Sequence, residues 1–392
     1  MGDKKKILLI EFCNYEDYPI GGLLTFCKHL MLSFGDDLAL IGITTSKKDP
    51  IGKWFKKEIN GITYDFFALH QYDKSKTKHL LPDRLITFLL LKFYKKAILK
   101  IKIDNLFIQR QDILIAIKGF GFKNICFCFA GLENPLRYSK YWYAKYFANY
   151  YETITFNSFK NVKQILAAGD DEAIAKMVKE SKGKITRKKV VKFPTRIDSN
   201  IFTPKDKAVT RRKLNLPVSC NVITTTGRLS WGKGWKFLID SFIEFKKENL
   251  NSLFYFIGEG EDYAKIQAYI KLKNEESSIR LLGTKSAQEI ADFLNASDVY
   301  IMGSYKEGWS TTLVEALATG VPICTTNFSS AKDIVTEGVT GYVVETHDII
   351  CFSKRMKDSL NLDTEALPLS KDVQRYSVSE LRTDLLKNWP LI

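Results

Sequence analysis

The sequence predicts an α/β chain of two doubly wound parallel-sheet domains, on three observations. At 392 residues it is long for a single hydrophobic core. Short β-rich apolar runs alternate with helical periodicity in both halves, which is the pattern of a parallel sheet covered by helices. A charged stretch carrying Gly183, Pro194 and Pro204 separates the two series. The expected division is 1–200 for a first domain and 201–372 for a second, with 373–392 a C-terminal helix packing back toward the first.

In the first half, KKILLIEF (5–12) is an apolar strand that opens into the loop CNYEDYPIGG, and LLTFCKHLMLSF (23–34) follows with helical spacing. DLALIGITT, GITYDFFAL, DNLFIQR, NICFCFAG and ETITFNS read as further strands from their β-branched and aromatic content. Cys126 and Cys128 alternate, so both side chains point to one face of a buried strand. In the second half NVITTT, LFYFIGEG, SIRLLG, VYIMGS and VPICTTN recur as strands, with WKFLIDSFIEFKKEN, EDYAKIQAYIKLKN, SAQEIADFLNAS and TTLVEALATG as the helices between them. Two such domains facing each other are expected to enclose a cleft lined by the carboxyl ends of their strands.

Composition narrows the class. A hydrophobic fraction of 45% and an aromatic fraction of 13% exclude a disordered chain. Seven cysteines without a Cys-x-x-Cys pair suit reduced thiols in the cytoplasm. The apolar run after MGDKKK is too short for a signal peptide or a membrane span. The net charge of +15 sits in the first half: residues 1–200 hold 35 Lys and Arg against 20 Asp and Glu, while 201–392 hold 24 of each. An anionic partner is therefore expected for the first half only. Residues 76–102 mix an apolar face with lysines, as does a helix lying on an anionic bilayer, and 137–151 interleave aromatics and cations. Domain helices with solvated basic faces share this pattern. No nucleic-acid-binding motif is present, and nucleic acid is set aside.

The chemistry-bearing motifs follow strand ends. After NVITTT comes Gly227-Arg228, with Lys233 five residues on; together the two cations can converge on one anion. After LFYFI comes Gly258-Glu-Gly260. After VYIMGS comes EGWSTTLVE, where Ser310 is placed to cap a helix starting near Thr311 and to present backbone amides to a phosphate. A diphosphate is the natural ligand of these three devices. There is no Asp-x-Asp motif and no His/Cys cluster with metal-ligand spacing, so no metal and no cofactor are expected.

Taken in order, GRLSWGKG, GEG, EGWSTTLVEALATGVPI and GVTGYVV resemble the signature set of retaining, GT-B-fold, family-4-like glycosyltransferases (glycosyl transferases group 1). That resemblance implies two Rossmann-like domains and a nucleotide-diphospho-sugar donor, UDP- or GDP-linked. Glu307 would face the donor sugar, and Glu315 the ribose hydroxyls. Arg228 and Lys233 would neutralise the diphosphate, assisted by amides from Ser310 through Thr311 and Thr312 to Leu313. Gly21-Gly22 matches the family's N-terminal glycine loop, Gly227, Gly258 and Gly260 would let the chain pass near the nucleotide, and the base would lie against Gly283-Thr284. The family's usual EGFGL is EGWSTTL here, so Gly308 is kept while Trp309 and Ser310 depart near the sugar. Many relatives carry a histidine in the region here reading FCFAGLENPLRYSKY, which has none, and no catalytic histidine is assigned. The implied function is hexosyl transfer to a glycan or lipid-linked acceptor in bacterial surface-polysaccharide synthesis, at the cytoplasmic membrane face. A GT-B epimerase or phosphorylase, or a non-catalytic sugar-nucleotide or glycan-binding subunit, is the alternative.

Overall fold

The computed structural model describes residues 6–19, 21–73, 81–129, 134, 136–137, 142–305, 307–328, 330–362 and 371–392. They form two compact units, one of 1–194 with 378–392 and one of 195–377.

In the first unit the run ILLI is buried along its whole length, as a central parallel strand covered on both faces must be. It forms β1 (Ile7–Ile10), flanked by β2 (Leu38–Thr44) and β5 (Asn105–Ile108). With β3 (Trp54–Ile59), β4 (Ile62–Gln71), β6 (Asn124–Phe129), β7 (Gln164–Ala167) and β8 (Val190–Lys192), the sheet runs β3-β4-β2-β1-β5-β6-β7-β8. Every neighbouring pair is parallel except β3 with β4, a hairpin closed by Asn60 and Gly61, both at positive φ (51° and 77°). That is the Asn-Gly two-residue turn whose twist matches its strands. Cys126 and Cys128 do share one buried face, packing with Leu166, while Phe127 and Phe129 fill the other.

ETITFNS is not a strand. It lies in the helix Ala148–Ser158, where the Thr153, Thr155 and Ser158 hydroxyls donate to the carbonyls of Asn149, Tyr151 and Ile154, four residues back, at 3.0, 2.8 and 2.9 Å. These bonds satisfy hydroxyls that local propensity would place in an extended chain.

The second unit has β9 (Asn221–Thr226), β10 (Ser252–Ile257), β11 (Ile279–Leu281), β12 (Val299–Met302), β13 (Ile323–Thr326) and β14 (Gly341–Val344), ordered β11-β10-β9-β12-β13-β14 and parallel throughout. The four helices read from the sequence are present as Trp235–Lys246, Tyr263–Leu272, Ala287–Ala296 and Thr311–Thr319.

The units divide after Pro194 and after Ser377, rather than at 200 and 372. The reason is local pairing: Ile197 N donates to Tyr376 O at 2.8 Å and Arg196 Nη1 to Arg375 O at 2.6 Å, which draws both linker strands into the second unit. The final helix, Val378–Asn388, belongs to the first unit. Arg382 Nη2 meets Asp37 at 2.8 Å, and the buried Trp389 donates its Nε1 to Asn124 Oδ1 at 2.7 Å. Among the described residues no helix is long and apolar enough to cross a membrane.

Candidate active site

Strand order reverses in the second unit between β9 and β12, which are neighbours although β10 and β11 separate them in sequence. Loops leaving the carboxyl ends of two such strands diverge to opposite sides and open a crevice. The loop after β9 carries Arg228 and Lys233, and the loop after β12 carries Glu307 to Ser310. Lys233 and Glu307, 74 residues apart in the chain, are thereby brought together.

Four close approaches lock these loops to each other and to the loop after β10. Tyr305 N donates to Gly232 O at 3.0 Å. A Cβ on Gly234 would stand 1.9 Å from Gly303 O, and Gly234 sits at φ +66°. A Cβ on Gly258 would stand 1.9 Å from Gly227 O, and one on Gly260 2.2 Å from Leu229 O. Gly258 and Gly260 are thus required by loop-on-loop packing, a reason different from the nucleotide approach the motif suggests. Gly258 N also donates to Gly283 O at 2.9 Å, and Gly227 N to Ile257 O at 2.9 Å, stitching the loops after β9, β10 and β11 into one rim. Gly283 is half-buried there and Thr284 exposed.

Lys233 Nζ hydrogen-bonds to Glu307 Oε1, which also accepts from Ser304 Oγ at 2.8 Å. Arg228 points elsewhere: its Nε donates to Glu261 Oε2 at 3.0 Å in a solvent-exposed pair. The expected convergence of the two cations on one point is therefore not present in this structure; each is held by its own carboxylate.

Ser310 caps the helix Thr311–Thr319, accepting from Leu313 N at 3.3 Å. Its own amide donates to Ser330 Oγ at 3.0 Å. Of the four amides expected to face an anion, those of Ser310 and Leu313 are thus used internally, leaving Thr311 and Thr312 as the open ones at the helix start. Thr311 Oγ1 lies 3.2 Å from Thr195 Oγ1, Gly308 is exposed, and the half-buried Trp309 ring packs 6.0 Å from Tyr376.

Glu315 projects from the same helix beside the fully buried Tyr300, whose hydroxyl bonds Thr226 Oγ1 at 3.3 Å. Burial pushes the Glu315 carboxyl up to about 8. No basic group offsets this cost, which favours the neutral carboxyl, able both to donate and to accept a hydrogen bond.

Two features of the rim lie outside the sequence motifs. Trp231, 71% exposed, stacks on Tyr305 at 4.8 Å and 15°, and Tyr305 stacks on His347 at 4.1 Å and 19°. His347 Nε2 is 3.0 Å from Gly303 O. This column presents an open indole face two residues from Lys233, suited to a flat base or a sugar ring. Its members come from three separate loops, so spacing along the chain carries no trace of it.

In the first unit Gly21 and Gly22 start the helix Gly22–Phe34, in open space. Nearby at the ends of β1 and β5, the buried Arg110 donates to both oxygens of Asp112, at 3.1 and 2.6 Å, and approaches Glu11 Oε1 at 3.6 Å. The region lacking a histidine, 127–141, lies mostly outside the described residues. Among the described residues no group of three His, Cys, Asp or Glu is placed to hold a metal ion.

Residues 206–377 match the family model described as Glycosyl transferases group 1. Among curated proteins, the chain is 26% identical over 222 residues to the D-inositol 3-phosphate glycosyltransferase of Corynebacterium efficiens, covering 54% of this chain and 52% of that protein. It is 29% identical over 142 residues to the capsular polysaccharide biosynthesis glycosyltransferase CapM of Staphylococcus aureus, covering 36% and 37%. The chain thus spans about half the length, or less, of these curated relatives. Among solved structures, Anabaena HepE in complex with UDP superposes with a TM-score of 0.72 at 16% identity over 97% of this chain and 98% of that one. Sucrose-phosphate synthase of Thermosynechococcus elongatus does so with a TM-score of 0.73 at 14% identity, over 98% of each chain. The fold is GT-B, and the similarity to the group 1 glycosyl transferases is carried by residues 206–377.

Proposed function

We propose that this protein is a retaining glycosyltransferase that moves a hexosyl unit from a UDP- or GDP-sugar to a glycan or lipid-linked acceptor in surface-polysaccharide synthesis. One observation carries the reading: Glu315, a half-buried carboxyl with no cation to offset its desolvation, lies on the helix that directly follows the loop where Glu307 pairs with Lys233. A desolvated acid without an internal counter-charge suits a neutral diol, here the nucleotide ribose. In this reading Lys233 faces the diphosphate and Glu307 the sugar hydroxyls. Arg228, on its exposed loop, leaves Glu261 to join the phosphates. The bond from sugar C1 to the diphosphate oxygen breaks, a bond to the acceptor oxygen forms on the same face, and the acceptor proton passes to the departing diphosphate. Fixed cations stabilise the leaving charge, so the reaction needs no divalent metal. The Anabaena structures solved with UDP and with UDP-glucose favour uridine among the two bases.

The membrane part of the reading gains support from the helix Asp83–Phe93. Leu85, Leu89 and Phe93 form an exposed row at a four-residue spacing, continued backward by Leu81, and Phe93 is 79% exposed. Tyr146, Phe147 and Tyr150 add a second exposed aromatic group. Residues 76–80 and 138–141 of the two basic stretches lie outside the described residues. An apolar row edged by Lys92 and Lys96 suits a peripheral contact with the anionic inner face of the cytoplasmic membrane.

A thermal-shift panel of UDP- and GDP-sugars tests the donor. A ligand that binds only the folded chain raises its Tm, and the correct sugar nucleotide should do so more than free phosphate. A panel in which no nucleotide shifts Tm removes the proposal.

A further inference from the structure

At the opposite edge of the first unit's sheet from Gly21 and Gly22, a groove opens where β6, β7 and β8 begin. Lys118, Lys123, Lys160, Lys163 and Lys189 line it, with Gly119 and Gly121 at its rim. Lys123, Lys163 and Lys189 each immediately precede one of the three strands, and the strand order β6-β7-β8 brings all three to the same end of the sheet.

Little acid answers this charge. Lys123 pairs with Asp104 at 2.9 Å, and Lys189 Nζ donates to Lys160 O at 3.3 Å. Among the described residues Lys118, Lys160 and Lys163 have no carboxylate partner, and no Asp or Glu lines the groove. Two more cations converge from outside: Lys92 Nζ donates to Lys118 O at 3.2 Å and Lys95 Nζ to Gly119 O at 2.7 Å. Burial, and then repulsion from Lys95 and Lys118, lowers the pKa of Lys92, which is what like charges without an anion do to one another.

We propose that this groove is a phosphate-binding site, taking the headgroup of an anionic lipid or a free phosphate compound. Compact ammonium groups on flexible stems close from several directions on the oxygens of one phosphate. Continuity with Lys92 and Lys95 places the site beside the exposed row of Leu85, Leu89 and Phe93. The site is separate from the crevice of the second unit and does not depend on the transferase reading.

The test uses the full chain carrying Arg228→Ala and Lys233→Ala, which silences phosphate binding in the second unit. Inorganic pyrophosphate is titrated at low ionic strength with Tm as the readout, and phosphatidylglycerol and phosphatidylcholine vesicles are assayed by sedimentation. Lys118→Gln/Lys160→Gln/Lys163→Gln is then added. Binding should weaken at least roughly fivefold, the factor expected from losing even one lysine near such a charge. The control Lys176→Gln/Lys179→Gln/Lys182→Gln removes equal charge elsewhere on the same unit and should leave binding intact. Loss of the pyrophosphate response alone assigns a free phosphate compound. Loss of sedimentation on phosphatidylglycerol, with phosphatidylcholine inert throughout, assigns a headgroup. A background chain that answers neither probe, or a groove variant no weaker than the control, refutes the site. The substituted side chains are exposed, so the unliganded Tm should hold; Lys163→Gln alone repeats the comparison if the triple variant does not fold.

Discussion

Lys233 and Glu307 form an ion pair across the strand-order reversal of the second unit, and Ser304 donates to the same Glu307 oxygen at 2.8 Å. Each partner holds the other in place before any substrate arrives. Removing either charge leaves the other partly buried and uncompensated. Glu307→Gln should lower kcat more than it changes donor KM, because its proposed contacts are to the reacting sugar. Lys233→Ala and Arg228→Ala should each lower turnover by about a hundredfold or more. Arg228→Ala should leave folding almost untouched, since its exposed pair with Glu261 contributes about 0–1 kcal/mol. Steady-state kinetics and melting curves measure both; near-normal turnover in the two cation variants would remove their assignment.

Glu315 ties stability to pH. Its folded pKa, about 8, lies above the ordinary 4.5, so the folded chain binds a proton that the unfolded chain has released. The stability this contributes is fully present below about pH 4.5 and is lost as pH rises through about 8, with a ceiling of about 1.4 kcal/mol per pH unit. Glu315→Gln imitates the neutral acid. Its Tm relative to the parent should therefore be higher at pH 8.5 than at pH 5, while its affinity for UDP or GDP falls. An unchanged Tm difference across that range would contradict the burial argument.

Chelation should leave transfer unchanged, because Lys233 and Arg228 supply the positive charge. Activity lost in EDTA and restored by Mg²⁺ or Mn²⁺ would show that a metal is required.

On vesicles, Lys92→Gln/Lys95→Gln/Lys96→Gln/Lys100→Gln should release the chain from anionic lipid, since each lysine near such a surface contributes about 1 kcal/mol. Leu89→Ser/Phe93→Ser should weaken binding to the same vesicles through lost apolar insertion, and with less dependence on salt. Transfer to a soluble acceptor analogue should persist in both. Equal binding of parent and variants to anionic vesicles would end the membrane role of this helix.

Gly234→Ala should destabilise the second unit. The added Cβ meets Gly303 O at 1.9 Å and the residue sits at φ +66°, so overpacking and backbone strain combine to about 2–4 kcal/mol. Denaturant unfolding measures the loss. Gly232→Ala, with open space around its Cβ, should be far milder.

By itself the sequence determined the class of fold, because buried parallel strands need continuous apolar runs and their covering helices need periodic ones. ILLI and NVITTT state this directly. It also determined the Ser310 cap, a local bond between residues three apart. Tertiary structure decided what depends on distant partners. ETITFNS became helical because that helix offers its hydroxyls carbonyls four residues back. Arg228 turned to Glu261, 33 residues away, rather than joining Lys233. The pairing of Lys233 with Glu307, the column of Trp231, Tyr305 and His347, and the lysines gathered by β6, β7 and β8 all arise where sheet order brings loops together. Strand order in a parallel sheet is set by the packing of whole βαβ units, which no local window of residues encodes.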